Sequence, residues 1–288
     1  MSTPELEPRL PESKLFTFMD EKGRHALYFL EGQRLIYDLA LVHGIDGPGF
    51  AWFRDCVLQV QPLIALIKRG EQFGFYIDSD EPLVRLKIET GHSGETRCTI
   101  YPDRLPAAPE TVRGKVRVQT LYPDGRQPYL SAIEIRGLAL REIVNRVLAE
   151  SYQVTSALVL SDSSDQSVML HRLPALRGED ADGSVDAVRA FRDGLRPDLD
   201  AIFERGLTDP DQIVDAFAAV GWRGIASRPV RFHCSCSRER MIANLQLVKE
   251  AEGLFGPGEP SLEITCEYCK RRYEIRREEV EGAEGQPH

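Results

Sequence analysis

Two closely spaced cysteine pairs near the C-terminus constrain this chain more than any other feature. They are Cys234-Ser235-Cys236 and Cys266-Glu267-Tyr268-Cys269, separated by about thirty residues. Two such pairs flanking a long insert suit a tetrahedral four-cysteine metal site. The elements expected around them are short: a helix from Arg238 to about Glu252, a Gly/Pro loop at 253–260, a strand at 262–265 and a further extended stretch from Arg271 to Arg276. So small a segment cannot stabilise itself by core burial alone. Closing the intervening loop costs about 3 kcal/mol, whereas a structural zinc site supplies about 10 to 16 kcal/mol. One Zn²⁺ per chain, held by Cys234, Cys236, Cys266 and Cys269, is the expectation. From spacing alone a ribbon that only folds the tail and a redox site stand equal. His233 could replace a thiolate, but four cysteines already complete the set.

Two details favour a redox site. The first pair is C-x-C, and in an extended strand residues two apart lie about 6.5 to 7 Å between Cα atoms, at or past the limit for a disulfide. A bridge between Cys234 and Cys236 is expected to be strained, whereas Cys266 and Cys269, three apart across a turn, meet the distance readily and are expected to oxidise first. Arg238, Arg240, Lys270, Arg271 and Arg272 also crowd the sulfurs in sequence, which favours thiolate and attack on peroxide. A solvated basic face explains the same charges equally well. Cys56, in an apolar helical pattern, and Cys98, on the same strand face as Ile100, read as buried small hydrophobes.

The rest of the chain reads as α+β. Phe53, Val57, Val60, Ile64 and Ile67 recur at helical spacing within 50–68; strands are expected at 73–78, 82–90, 95–101, 113–120, 129–136, 156–160 and 168–173, with a helix marked by Leu140, Ile143, Val144, Val147 and Leu148. An acidic, small-residue stretch from Gly178 to Gly183 precedes two helices that look like a linker and not a core. Ser184 can cap the first, which Pro197 should break or kink; Asp209, Pro210 and Gln212 open the second, and Gly221 ends it. The expected organisation is a mixed sheet-and-helix core at 1–177, a helical linker at 178–229, a small zinc-binding domain at 230–280 and a flexible tail at 281–288. Trp52 and Trp222 read as core.

Composition excludes several classes. A net charge of −9 argues against a protein that wraps nucleic acid, and no apolar run approaches a membrane span. The N-terminus has no secretory pattern, and six cysteines are too few for a disulfide framework at this length, so a cytoplasmic location is expected. A P-loop, a G-x-G-x-x-G after a strand and a G-x-S-x-G elbow are all missing, so the chain does not read as an enzyme.

The stretches VRFHCSCSRERM (230–241) and EITCEYCKRRYEI (263–275), with Tyr273 among the matching positions, closely resemble the switch domain of the redox-regulated heat shock protein 33 family, the 33 kDa chaperonins. Residues 14–30, PDGRQPYLSAIEI and LHRLP at 170–174 resemble that family's N-terminal core. The resemblance implies an ATP-independent holdase, inactive when reduced and zinc-bound, and active once oxidation forms disulfides and expels zinc. By position it pairs Cys234 with Cys236 and Cys266 with Cys269. It also implies that the switch and linker then unfold and expose apolar stripes to unfolded or oxidatively damaged client proteins, that the core binds clients and dimerises, and that the active species is a homodimer. Two departures stand out: acidic residues replace the usual glycines in FGFYIDSDEPLVRLKIETG, and Lys270 stands where glycine commonly follows the second pair, which should weaken backbone hydrogen bonds to the Cys269 sulfur.

Two other functions compete with the holdase. A zinc-ribbon nucleic-acid-binding or regulatory protein fits the cysteines but not the net charge. A thiol-disulfide oxidoreductase using Cys266 and Cys269 lacks the β-α-β context such a motif needs.

Overall fold

Alternating residues build one sheet of this protein and continuous apolar runs build the other. The computed structural model describes residues 10–22, 24–152, 154–174, 185–248 and 254–281, in two compact units that divide between Phe232 and His233. In the first unit the described elements are β1 (Lys14–Asp20), β2 (His25–Glu31), α1 (Gln33–His43), α2 (Pro48–Val60), β3 (Gln72–Glu81), β4 (Leu83–Gly91), β5 (Glu95–Tyr101), β6 (Thr111–Leu121), β7 (Tyr129–Ala139), α3 (Leu140–Val147), β8 (Ser156–Leu160), β9 (Gln166–Arg172), α4 (Val185–Glu204), α5 (Pro210–Ala219), β10 (Trp222–Pro229) and β11 (Arg231–Phe232). They form a six-stranded sheet in the order β11-β5-β4-β3-β6-β7 and a five-stranded sheet in the order β10-β1-β2-β9-β8. The α+β class expected from the sequence is the one found.

In the six-stranded sheet Val84, Leu86 and Ile88 point inward and are fully buried, while Arg85, Lys87 and Glu89 alternate with them on the outer face. That outer face is held by charge: Arg117 bonds Asp78 at 2.7 Å, Arg97 bonds Glu89 at 2.6 Å, and Tyr76 Oη donates to Glu89 at 3.1 Å. The acidic residues of this stretch are thus paired with basic neighbours across the strands. Gly74 is needed beneath Tyr76, because a Cβ there would lie 2.3 Å from the tyrosine oxygen. The helix expected over 50–68 is shorter than its apolar spacing suggests. It ends at Val60 and continues as a 3₁₀ turn over Gln61–Leu66, since Pro62 cannot donate the next helical hydrogen bond.

The five-stranded sheet is buried on both faces. Leu15, Leu30, Leu158, Leu160 and Met169 join a core shared with α1, α2, α3 and the six-stranded sheet, whereas Phe16, Phe18, Leu27, Phe29, Val168 and Leu170 join a second core with α4 and α5. The two helices expected to be a linker therefore pack on the sheet in this structure, through Leu199, Ile202, Phe203, Ile213 and Phe217, and the chain after them returns as β10 to pair antiparallel with β1. Pro197 does not break α4; burial of Leu195 and Leu199 on either side of it compensates for the missing hydrogen bond. Asp209 caps α5 as expected, accepting from the backbone N–H groups of Asp211 and Gln212. Ser184, the cap expected for α4, and the stretch Gly178–Gly183 lie outside the described residues.

Double burial has an electrostatic cost at Glu31, at the end of β2. Burial pushes its carboxyl up to about 7 against an ordinary 4.5; the Gln33 N–H offsets part of that rise, and Asp165 adds a smaller repulsion. A raised carboxyl binds its proton more tightly folded than unfolded, so stability is highest below about 4.5 and falls as pH rises through about 7. Glu31→Gln is therefore expected to be nearly neutral at pH 4 and to stabilise the protein at pH 8 by up to about 3 kcal/mol, read from urea midpoints at the two pH values.

Candidate metal centre

The second unit begins at His233 and has its own small core: Leu245, Cys266, Tyr273, Ile275 and Val280 are buried among the described residues. Its elements are α6 (Arg238–Val248), β12 (Ser261–Thr265), β13 (Arg272–Arg276) and α7 (Arg277–Glu281). β12 and β13 pair antiparallel, with Thr265 opposite Arg272, and the chain between them carries the second cysteine pair. That turn is closed by Cys266 N–H to Arg271 C=O at 2.9 Å and Lys270 N–H to Cys266 C=O at 2.8 Å. Closure demands a left-handed residue at Lys270, whose φ is 58°. The departure from glycine noted in the sequence thus falls where glycine is favoured. The backbone N–H of Arg271 nevertheless still bonds the Cys269 sulfur, so the cost falls on the lysine φ and not on that bond. Lys270→Gly is expected to stabilise the second unit by about 1 kcal/mol, seen as slower metal loss to a competing chelator.

The first cysteine pair lies between β11 and α6, in irregular chain and not in the extended strand supposed above. The N–H of Cys236 turns back to the Cys234 sulfur. Ser237 then starts α6, accepting from the Arg240 N–H.

These two segments bring all four expected residues together. The sulfurs of Cys234, Cys236, Cys266 and Cys269 lie within 4.8 Å of one another, with Cys234–Cys266 at 3.7 Å and Cys236–Cys269 at 3.3 Å. A tetrahedron with metal–sulfur bonds of about 2.3 Å has edges of about 3.8 Å, so the donor set fits Zn²⁺ in number, type and spacing. His233 is not in the group. Cys56 and Cys98 are at 1% and 0% exposure in the core of the first unit, as small hydrophobes.

The sulfurs are unequal. Burial raises Cys234 and Cys269, the latter to about 12. Burial opposes ionisation of Cys236 as well, but hydrogen bonds from Tyr273 and from the neighbouring thiols bring it down to about 7. The basic residues near the cysteines have different employments. Arg238 makes a bidentate pair with Glu279, at 3.1 and 2.6 Å, Arg240 bonds the Ser235 carbonyl and hydroxyl, Arg272 faces Glu263, and Arg271 reaches the sulfurs through Tyr273. In the sequence Tyr273 stands out through the resemblance to the family's switch domain and alternates with Ile275 on β13, neither of which shows its contact with Cys236.

The model of the Hsp33 protein family matches residues 13–276. The chain belongs to the Hsp33 family. Among curated Hsp33 relatives, a 33 kDa chaperonin of Thermosynechococcus vestitus is 33% identical over 68% of this chain and 71% of its own length. That of Pseudomonas fluorescens is 26% identical over 90% and 88%, and that of Pelobacter propionicus 23% identical over 76% of each. The crystal structure of a 33 kDa chaperonin from Thermotoga maritima matches with a TM-score of 0.69 at 14% identity, covering 94% of this chain and 97% of that one, which speaks to the fold. Membership of Hsp33 supports a chaperone and not an enzyme. Among the described residues no helix is long and apolar enough to cross a membrane.

Proposed function

We propose that this protein is a redox-regulated holdase of the cytoplasm, silent while Cys234, Cys236, Cys266 and Cys269 hold one Zn²⁺ and active once those residues are oxidised. The observation that carries the proposal is the convergence of the four sulfurs to within 4.8 Å in a unit whose own core is very small. Zinc supplies a charge that keeps all four sulfurs as thiolates and a cross-link between the two segments. A thiolate attacks peroxide, the O–O bond breaks to give a sulfenic acid and hydroxide, and a second thiolate displaces the sulfenic oxygen as hydroxide to form the disulfide, both hydroxides taking protons from solvent. Two thiols are oxidised and one peroxide is reduced in each round. Pairing Cys266 with Cys269, and Cys234 with Cys236, removes all four ligands. The second unit then lacks its cross-link and unfolds.

Chain continuity carries the change onward in this proposal. Cys234 follows β11 directly, and β10 and α5 lie immediately before it. Loss of order there frees the apolar faces of α4 and α5 and of the sheet beneath them for unfolded or oxidatively damaged clients, and the active species is a homodimer. The test is to treat zinc-loaded protein with peroxide at raised temperature and follow zinc in solution, proteolysis across 185–230 and aggregation of an unfolded client. All three should move together. Zinc loss without client protection would sink the holdase proposal.

A further inference from the structure

We propose that Tyr273 guards Cys236: its hydroxyl, held by Arg271, donates a hydrogen bond to the Cys236 sulfur and makes that sulfur slower to be attacked by an electrophile than Cys234, its partner in the first pair, whose sulfur accepts a neutral backbone N–H. Guarding of this kind presupposes the redox proposal above and assigns the two-stage behaviour of the cysteines to one side chain.

Tyr273 projects from β13 into the small core, 9% exposed, with Oη 3.1 Å from Cys236 Sγ. The guanidinium of Arg271 also hydrogen-bonds that oxygen. A guanidinium can only donate, so Oη accepts from Arg271 and its single proton is left for the sulfur. The loop that carries Cys236 is pinned in turn, since Arg240 Nη1 donates to the Ser235 carbonyl at 3.0 Å and to its hydroxyl at 2.6 Å. Burial does not distinguish the two members of the first pair, because Cys234 and Cys236 are both half-buried. Attack on peroxide or on an alkylating agent uses a sulfur lone pair, and a donated hydrogen bond engages that pair and draws density from it. Along the Brønsted slope for thiolates, a charge-assisted hydrogen bond slows attack by about three- to tenfold. The ring of Tyr273 is buried in the small core, so phenylalanine keeps that packing and removes only the donor.

The test uses the zinc-loaded full-length chain, treated briefly with N-ethylmaleimide and with peroxide, and maps by mass spectrometry the position of the adduct in molecules that carry only one. In the wild type Cys236 should carry about three- to tenfold fewer first adducts than Cys234. In Tyr273→Phe the difference should vanish or invert, since the Cys234 sulfur keeps the N–H of Cys236, and in the cobalt-substituted protein the sulfur-to-cobalt charge-transfer band should move to lower energy as the sulfur gains density. Should Tyr273→Phe fail to retain metal, Arg271→Gln is read instead. It leaves the tyrosine but frees the hydroxyl to turn away, and the adduct ratio should shift in the same direction by less. Wild-type Cys236 reacting as fast as Cys234, or a ratio unmoved in a metal-retaining variant, overturns the assignment. Failure of peroxide to switch on client protection would instead overturn the redox proposal, with the adduct ratio still reporting on Tyr273.

Discussion

Cys266→Ser is expected to abolish metal binding, to unfold residues 233–281 and to loosen α4 and α5, while the core shared by the two sheets stays folded. The reason is the disproportion between the two sources of order in the second unit. Its buried side chains are Leu245, Cys266, Tyr273, Ile275 and Val280 among the described residues, and one of those is itself a ligand. A core of that size does not offset the conformational entropy of some fifty residues, whereas a four-thiolate zinc site supplies about 10 to 16 kcal/mol. Cys266 is the most damaging choice of the four because its side chain is buried in the small core while the other three are half-buried; its backbone bonds to Lys270 and Arg271 close the β12–β13 turn. Serine keeps those backbone bonds, so the measured loss isolates the sulfur. Zinc content per chain should fall from one to background, and protease should cut within 233–281 and across 185–230 and leave the core shared by the two sheets intact. Stoichiometric metal in Cys266→Ser would place the ligands elsewhere.

How much of this was legible beforehand depended on which physical signal each element carries. The clustering of the four cysteines was legible because the chemistry of a metal site restricts residue type and spacing so tightly. The strands of the six-stranded sheet were legible because one of its faces meets solvent, and Val84, Leu86 and Ile88 alternate visibly with Arg85, Lys87 and Glu89. β2, with the sequence HALYFLE, carries no alternation because both of its faces are buried, and only resemblance pointed to it. The docking of α4 and α5 was not legible at all. Their stripes of Val185, Val188, Phe191 and Leu195, and of Ile213, Val214, Phe217 and Val220, are visible in the sequence, but a stripe does not say what covers it. Nor could spacing show that Tyr273 Oη meets Cys236, because that contact joins two segments across a core that exists only once the fold has formed.

Phe217→Ala is expected to free α5 from its sheet and to give client protection without any oxidant. Phe217 is fully buried, with its ring centroid 4.4 Å from Phe18 and 5.0 Å from Phe29. Truncating such a side chain costs about 3–5 kcal/mol, and the two ring pairs add about 0.5–1.5 kcal/mol each to what burial alone gives. α5 has ten residues, too few to be stable without its packed face. The loss is therefore concentrated on the local equilibrium between docked and undocked helix, well before it threatens the core shared by the two sheets. Undocking exposes Phe16, Phe18, Leu27 and Phe29 together, an apolar face far larger than scattered surface residues present. Reduced, zinc-loaded Phe217→Ala should bind an environment-sensitive apolar dye, be cut by protease between 205 and 222, and slow the aggregation of an unfolded client. Val214→Ala, at a position 37% exposed on the same helix, should do none of these. The pair also separates two locations for client binding. If protease reports α5 undocked in the reduced variant and the client still aggregates at the uninhibited rate, the sheet face beneath α5 is not the surface that clients use, and the apolar side chains exposed by the second unit on oxidation must supply it.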